Sequence, residues 1–296
     1  MNLQPELCAV VHSYGSFRAL DKAESIAKST LADIARHPHR CIKRPRLFNT
    51  VWLMRKLYIE KFGEPWPKPI RALLEHLVES ETRYAIGVIN AQEYRDRLQK
   101  GFKDLETIWP DDASNPELEA GCIYVHATYL YDFATHFCTS LPLVKSERVR
   151  MLIGQYTRVR DILRQHAPKN FERTIDKATI NILATEMMSK EPTWALSHEA
   201  EHRIQELGAL DAAKRLALLE PMNLDLMNNG LQVASSAKST EDCKYFWAKL
   251  TQELHYGVNP WREPKYAPKQ LEGITGPRMA FFYNEIYLKD LVPHFV

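Results

Sequence analysis

The chain has 296 residues, with 39 basic and 37 acidic side chains and 45% apolar content. This composition excludes wholesale disorder and fibrous structure, and the length allows one large domain or two modest ones. No run approaches the roughly 18 apolar residues of a spanning helix, and the opening Met-Asn-Leu-Gln-Pro-Glu lacks a secretory pattern.

Five widely spaced cysteines with no Cys-x-x-Cys suit reduced thiols. A cytoplasmic protein without membrane contact is expected. The net charge of +2 hides an uneven distribution. Residues 34–59 carry Arg36, Arg40, Lys43, Arg44, Arg46, Arg55 and Lys56, with no aspartate or glutamate among them. One basic segment on an otherwise mildly acidic chain is the form that a nucleic-acid contact takes.

In chain order, the three- and four-residue spacing of Leu20, Ala23, Ile26, Ala27, Leu31 and Ile34 predicts a helix over about 17–36. Val51, Met54, Leu57 and Tyr58 predict a second helix, closed by Gly63 as a left-handed cap. Pro65, Pro67 and Pro69 force a short turn, after which Ile70, Leu73, Leu74, Leu77 and Val78 begin a third helix. Further helices are expected at about 91–108, 117–139, 145–166, 170–189, 193–207, 209–219, 240–255 and 277–291. Residues 257–277, with four prolines and three glycines, should form a long loop. The one candidate for extended structure is 40–47.

A short basic extended piece, a helix of about fourteen residues, a glycine, a turn and a second amphipathic helix occur in this order over residues 40–80. That order and length resemble a ribbon–helix–helix DNA-binding module, in which two chains pair single strands into a ribbon that enters the major groove. Alternation along the strand puts Arg40, Ile42, Arg44 and Arg46 on one face. An arginine there can pair in bidentate fashion with guanine O6 and N7. Lys43 adds positive charge to the strand. Lys68 and Arg71, at the start of the second helix, would hold phosphates beside its free N–H groups. Pro45 departs from the pattern, because a proline has no N–H to donate to a partner strand.

Tyr124-Val-His-Ala-Thr-Tyr-Leu-Tyr-Asp-Phe133 is followed by Ser146-Glu-Arg-Val-Arg-Met-Leu-Ile and by Arg158-Val-Arg-Asp-Ile-Leu163. Over about residues 45–165 this resembles the AcaB-like family of proteins encoded by conjugative plasmids and integrative elements. The resemblance implies a transcriptional activator of conjugative-transfer genes. The expected architecture is therefore mainly α. N-terminal helices occupy 1–37, an embedded ribbon–helix–helix module of one short strand and two helices occupies 38–82, and a helical region for dimerisation or regulation occupies 83–296. The expected partners are double-stranded DNA, a second copy of the chain, and RNA polymerase. No cofactor is expected.

Two rival functions have their own residues. His198-Glu-Ala-Glu-His202 spells His-Glu-x-x-His, in which histidines four apart share a helix face for zinc and Glu199 would be the general base. A zinc-dependent hydrolase would need a third ligand, and Glu206, Asp211 and Glu220 stand in no distinctive context. Glu199 with His202 also fits half of a di-iron carboxylate pattern, but no second Glu-x-x-His pair is present. The other rival is a non-catalytic helical scaffold whose basic loop binds acidic protein. His126, Tyr129, Phe133 and His136 form a stripe that reads as core, although Asp132 precedes His136 by four residues. Asp111 and Asp112 read as loop and cap residues. No phosphate-binding glycine loop is present.

Overall fold

The computed structural model describes residues 4–36, 44–110, 114–137, 147–219, 224–251 and 279–291. Helices dominate, and no strand occurs among the described residues. Residue contacts divide them into two compact units.

The first unit begins with α1 (Gln4–Tyr14), α2 (Phe17–Glu24) and α3 (Lys28–Arg36). A 3-10 turn, Pro45–Leu47, leads into α4 (Phe48–Phe62), α5 (Lys68–Ile86), α6 (Ala91–Ile108) and α7 (Pro116–Phe137). The unit closes with α8 (Glu147–His166), which joins it from Arg150, and with the chain as far as Ile175. Its core stacks one stripe from each long helix. Ile70, Leu73 and Leu77 of α5 meet Tyr94, Leu98 and Leu105 of α6, Ile123 and Tyr129 of α7, and Val159 and Leu163 of α8. Each such buried side chain contributes about 1.5–3 kcal/mol of transfer free energy before entropy is counted. Helix α6 starts in a capping box: Asn90 Oδ1 accepts from Glu93 N–H at 3.0 Å, and Glu93 Oε2 accepts from Asn90 N–H at 2.8 Å.

The second unit holds α9 (Glu172–Ser189) from Asp176 onward, a 3-10 turn (Pro192–Leu196), α10 (His198–Leu207) and α11 (Ala209–Leu219). It continues with α12 (Leu224–Ser236), α13 (Thr240–Thr251) and a π-wound helix (Phe282–Leu291). Small side chains make its close packing. Ala209, Ala212, Ala213 and Ala217 line the buried face of α11, and Phe282 N–H donates to Ser235 Oγ at 3.1 Å.

Several expected boundaries move. The helix expected over 17–36 is two helices. Ser25 adopts a left-handed conformation (φ 56°) and its N–H bonds to Asp21 O at 2.9 Å, which ends α2. The helix expected over 193–207 begins only at His198, because the Ser197 side chain caps it by accepting from Ala200 N–H at 3.2 Å. Gly63 closes α4 but is extended (φ −68°, ψ 149°) rather than left-handed. Glycine is needed there because a Cβ would collide with the Ile59 carbonyl, which accepts the Gly63 N–H at 2.8 Å.

Helix α1 falls within the N-terminal helices expected over 1–37, whereas α12 forms where no helix is expected. In α12 the Asn228-Asn229-Gly230 run has turn-like composition, yet Gly230 serves packing: a Cβ there would collide with the Phe246 ring of α13.

Candidate nucleic-acid interface

The described half of the expected strand is not extended. Arg44 has φ −119° and ψ 76°, and Pro45–Leu47 winds into a 3-10 turn closed by Leu47 N–H to Arg44 O at 2.9 Å. Proline suits the first position of such a turn, where no N–H is required. The alternation that would align Arg44 with Arg46 therefore does not apply to these residues. Arg40 and Lys43 lie outside the described residues.

The basic segment is less free than its sequence count suggests. Arg55 is buried: its Nε lies 3.0 Å from Glu6 Oε2, and its Nη1 lies 2.8 Å from Glu81 Oε2 and 2.9 Å from Thr82 Oγ1. Burial opposes the guanidinium charge, but the carboxylates of Glu6 and Glu81 outweigh it and push its pKa up. Arg55 is thus a cross-link between α1, α4 and α5, not a contact for a partner. Lys56 pairs with Glu60 one turn on at 3.8 Å. Arg44 pairs with Asp33 at 3.3 Å, but both side chains are well exposed, at 36% and 52%. Arg46 is exposed and has no ion pair among the described residues.

The turn that carries Arg44 and Arg46 is pinned to the far end of α5. The Arg83 guanidinium lies over the Phe48 ring at 4.4 Å, and Arg83 pairs with Glu79 at 2.8 Å. Glu79 also accepts Arg97 of α6 at 3.3 Å. Sequence spacing does not mark Arg83 or Arg97, because the α4–α5 hairpin brings Arg83 to Phe48 and the packing of α6 on α5 brings Arg97 to Glu79.

Lys68 and Arg71 lie at the opposite end of that hairpin. Fifteen residues of α5 separate Lys68 from Arg83, about 22 Å at 1.5 Å per residue. The two groups of expected DNA contacts are therefore not brought together. Around Lys68 the chain is tightly held. Trp66 is buried against Phe171 (4.4 Å between ring centroids) and stacks on Tyr124 (5.7 Å). Glu64 caps the start of α9, accepting from Thr174 N–H at 2.8 Å and from the Thr174 hydroxyl. Lys68 and Arg71 are exposed, and Arg71 Nη2 donates to Trp66 O at 3.4 Å. Exposed Lys169, two residues before Phe171, belongs to the same end of the unit.

The rival constellations separate into ordinary contacts. His198 is 96% exposed, with Nδ1 3.3 Å from Glu201 Oε2, and His202 is exposed. Glu199 pairs with Lys190 at 3.1 Å, and Glu201 pairs with Lys238. Those lysines, acting as hydrogen-bond donors first, hold both carboxyls below their usual range. No group of three His, Cys, Asp or Glu side chains among the described residues is placed to hold a metal.

On the α7 stripe, Tyr129 is buried. Its hydroxyl donates to Leu73 O at 3.0 Å and meets His76 Nδ1 at 2.9 Å. His126 Nδ1 lies 2.7 Å from Gln155 Nε2, and the His126 ring packs edge-on against Phe102. These are partners of a packed interior, as expected for that pair. The side chains of Asp132, Phe133 and His136 lie outside the described residues. No helix among the described residues is long and apolar enough to cross a membrane. No protein-family model, curated protein or solved structure matches the chain.

Proposed function

We propose that the chain is a sequence-specific DNA-binding transcriptional regulator that acts as a dimer, with residues 40–46 as its principal DNA contact. The observation that carries this reading is a segment of seven basic residues without an acidic one, whose described tip presents Arg46 unpaired and Arg44 in an exchangeable surface pair. A solvated pair such as Arg44–Asp33 contributes about 0–1 kcal/mol, so a phosphate or a guanine edge can replace the carboxylate at little cost. Arg55 is withdrawn from the contact by Glu6 and Glu81, whereas Lys56 is held only by an exposed pair with Glu60.

In this reading any strand pairing between two copies is limited to residues before Pro45, and Arg46 reaches DNA from the 3-10 turn. Lys68 and Arg71, at the other end of the hairpin, hold backbone phosphate on a separate surface. The resemblance to the AcaB-like family makes the regulated genes those of conjugative transfer, with activation through RNA polymerase.

A gel-shift titration of the full chain on duplex DNA at two salt concentrations tests the reading. Binding should fall steeply with salt, and Arg44→Ala/Arg46→Ala should lose about tenfold or more in affinity. Absence of binding to any duplex, or an unchanged affinity in the double variant, refutes it.

A further inference from the structure

The 3-10 turn that presents Arg46 has few restraints of its own. Two backbone hydrogen bonds close it, Leu47 N–H to Arg44 O at 2.9 Å and Phe48 N–H to Pro45 O. No side chain caps the turn, and none caps the start of α4 that follows it. The hydrogen bonds of a 3-10 turn are poorly aligned, so one this short depends on packing from outside it. Pro45 and Arg46 are exposed, and Arg44 adds only its exposed pair with Asp33. Phe48 supplies the packing. Its backbone closes the turn, and its half-buried ring lies under the Arg83 guanidinium at 4.4 Å.

Arg83 is itself held from behind. Glu79 Oε1, one turn earlier on α5, meets both Nε and Nη2 of Arg83 at 2.8 Å. Glu79 Oε2 takes Arg97 Nη2 of α6 at 3.3 Å, and Arg97 Nε donates to the Oγ of buried Ser80 at 2.8 Å. The main chain below is equally fixed. The Arg83 carbonyl accepts from Val88 N–H at 2.8 Å, where left-handed Gly87 (φ 82°) ends α5. A guanidinium fixed at its edge by a carboxylate keeps its face for an aromatic ring, an arrangement that an ammonium cannot match. With its edge on Glu79 and its face on Phe48, Arg83 works inside the fold.

We infer that Arg83 is a positioning residue for the DNA contact: through Phe48 it holds the Pro45–Leu47 turn, so that Arg46 is set before DNA arrives. This inference rests on the DNA-binding reading above and adds what orders its contact. A side chain ordered in advance loses less freedom on binding, so the clamp raises affinity without touching DNA. Its removal lowers affinity without changing the number of phosphates neutralised. The salt slope, which counts those phosphates, stays constant.

Fluorescence anisotropy of a labelled duplex of mixed sequence with the full chain, over a series of salt concentrations, is the test. Arg83→Met keeps the stem and removes the cation. It should weaken binding about fivefold, the size of a half-exposed cation–π contact, with an unchanged slope of log K against log salt. Phe48→Leu should do the same, and the two together should add little, because both break one contact. In the Arg44→Ala/Arg46→Ala chain, Arg83→Met should have no further effect.

Parent affinity in Arg83→Met would overturn the inference and leave the DNA-binding reading standing. A slope lowered by about 1 would overturn it by making Arg83 a phosphate contact. A full further loss in the Arg44→Ala/Arg46→Ala chain would also overturn it, since Arg83 would then act elsewhere. If Arg83→Met loses its cooperative melt, Phe48→Leu is judged by the same three outcomes. If the parent chain binds no duplex at all, the underlying reading falls and takes the inference with it.

Discussion

The two units of the molecule draw on the same charged residues and use them differently. The first contains 24 basic and 20 acidic residues, the second 15 and 17. Both units hold ion pairs, and in the second several of them reach buried or half-buried carboxylates. Arg215 grips buried Asp176 in two contacts at 2.7 and 2.9 Å, and Arg203 grips Glu186 at 2.6 Å. Lys214 meets Asp242 at 2.5 Å, and Lys238 meets Glu201.

In the first unit, Arg46, Lys68, Arg71, Arg150 and Lys169 stand exposed without an ion pair among the described residues. The lesson is that placement, more than net charge, decides which part of a near-neutral chain is available to a polyanion. Arg55 shows the reverse case, a cation in the most basic segment that is wholly committed inside.

That contrast can be broken at its strongest point first. Arg55→Met removes the cation shared by Glu6 and Glu81. It should cost about 3 kcal/mol in urea unfolding of the full chain, the low end for a broken buried pair because both carboxylates keep some solvent. A loss below about 1 kcal/mol would mean that the cross-link is dispensable and Arg55 belongs with the available charges.

Arg215→Ala sharpens the other side of the comparison. Leaving Asp176 buried without its guanidinium should cost about 2 kcal/mol, while duplex affinity stays at the parent value. A fall in duplex affinity would contradict the division of labour between the units.

The smallest effect concerns Tyr14, whose hydroxyl donates to Glu24 Oε1 at 2.5 Å. That hydrogen bond, with burial and the charge of Glu24 adding to it, raises the phenol to about 12. The folded state therefore favours the neutral phenol. Its contribution is complete below pH 10 and is lost as pH rises towards 12. Tyr14→Phe should flatten the alkaline limb of stability measured over that window, and an unchanged limb would remove Tyr14 from the account.

Much of the fold was legible in the sequence because helices announce themselves locally. The Ile70, Leu73, Leu77 spacing and the proline breaks need no long-range information. The exceptions have physical reasons. Gly230 looks like punctuation until Phe246, sixteen residues on, is seen to rest against it.

The site was legible only as composition. Arg55 follows Val51 by four residues and so lies on the apolar stripe, which is a local signal of burial. Its partners Glu6 and Glu81, however, are 49 and 26 residues away, and no local pattern pairs them. The extended reading of 45–47 failed at Pro45, the residue that lacks a ladder donor. Likewise, nothing in the spacing of Lys68 and Arg46 reveals that an antiparallel hairpin sends them to opposite ends.

Amide hydrogen exchange on the full chain, with and without duplex DNA, tests the central claim most directly. New protection is expected in peptides that cover residues 36–48 and 66–72, with none in α10 to α13. Protection confined to α10 to α13, or no change anywhere at saturating duplex, would contradict it.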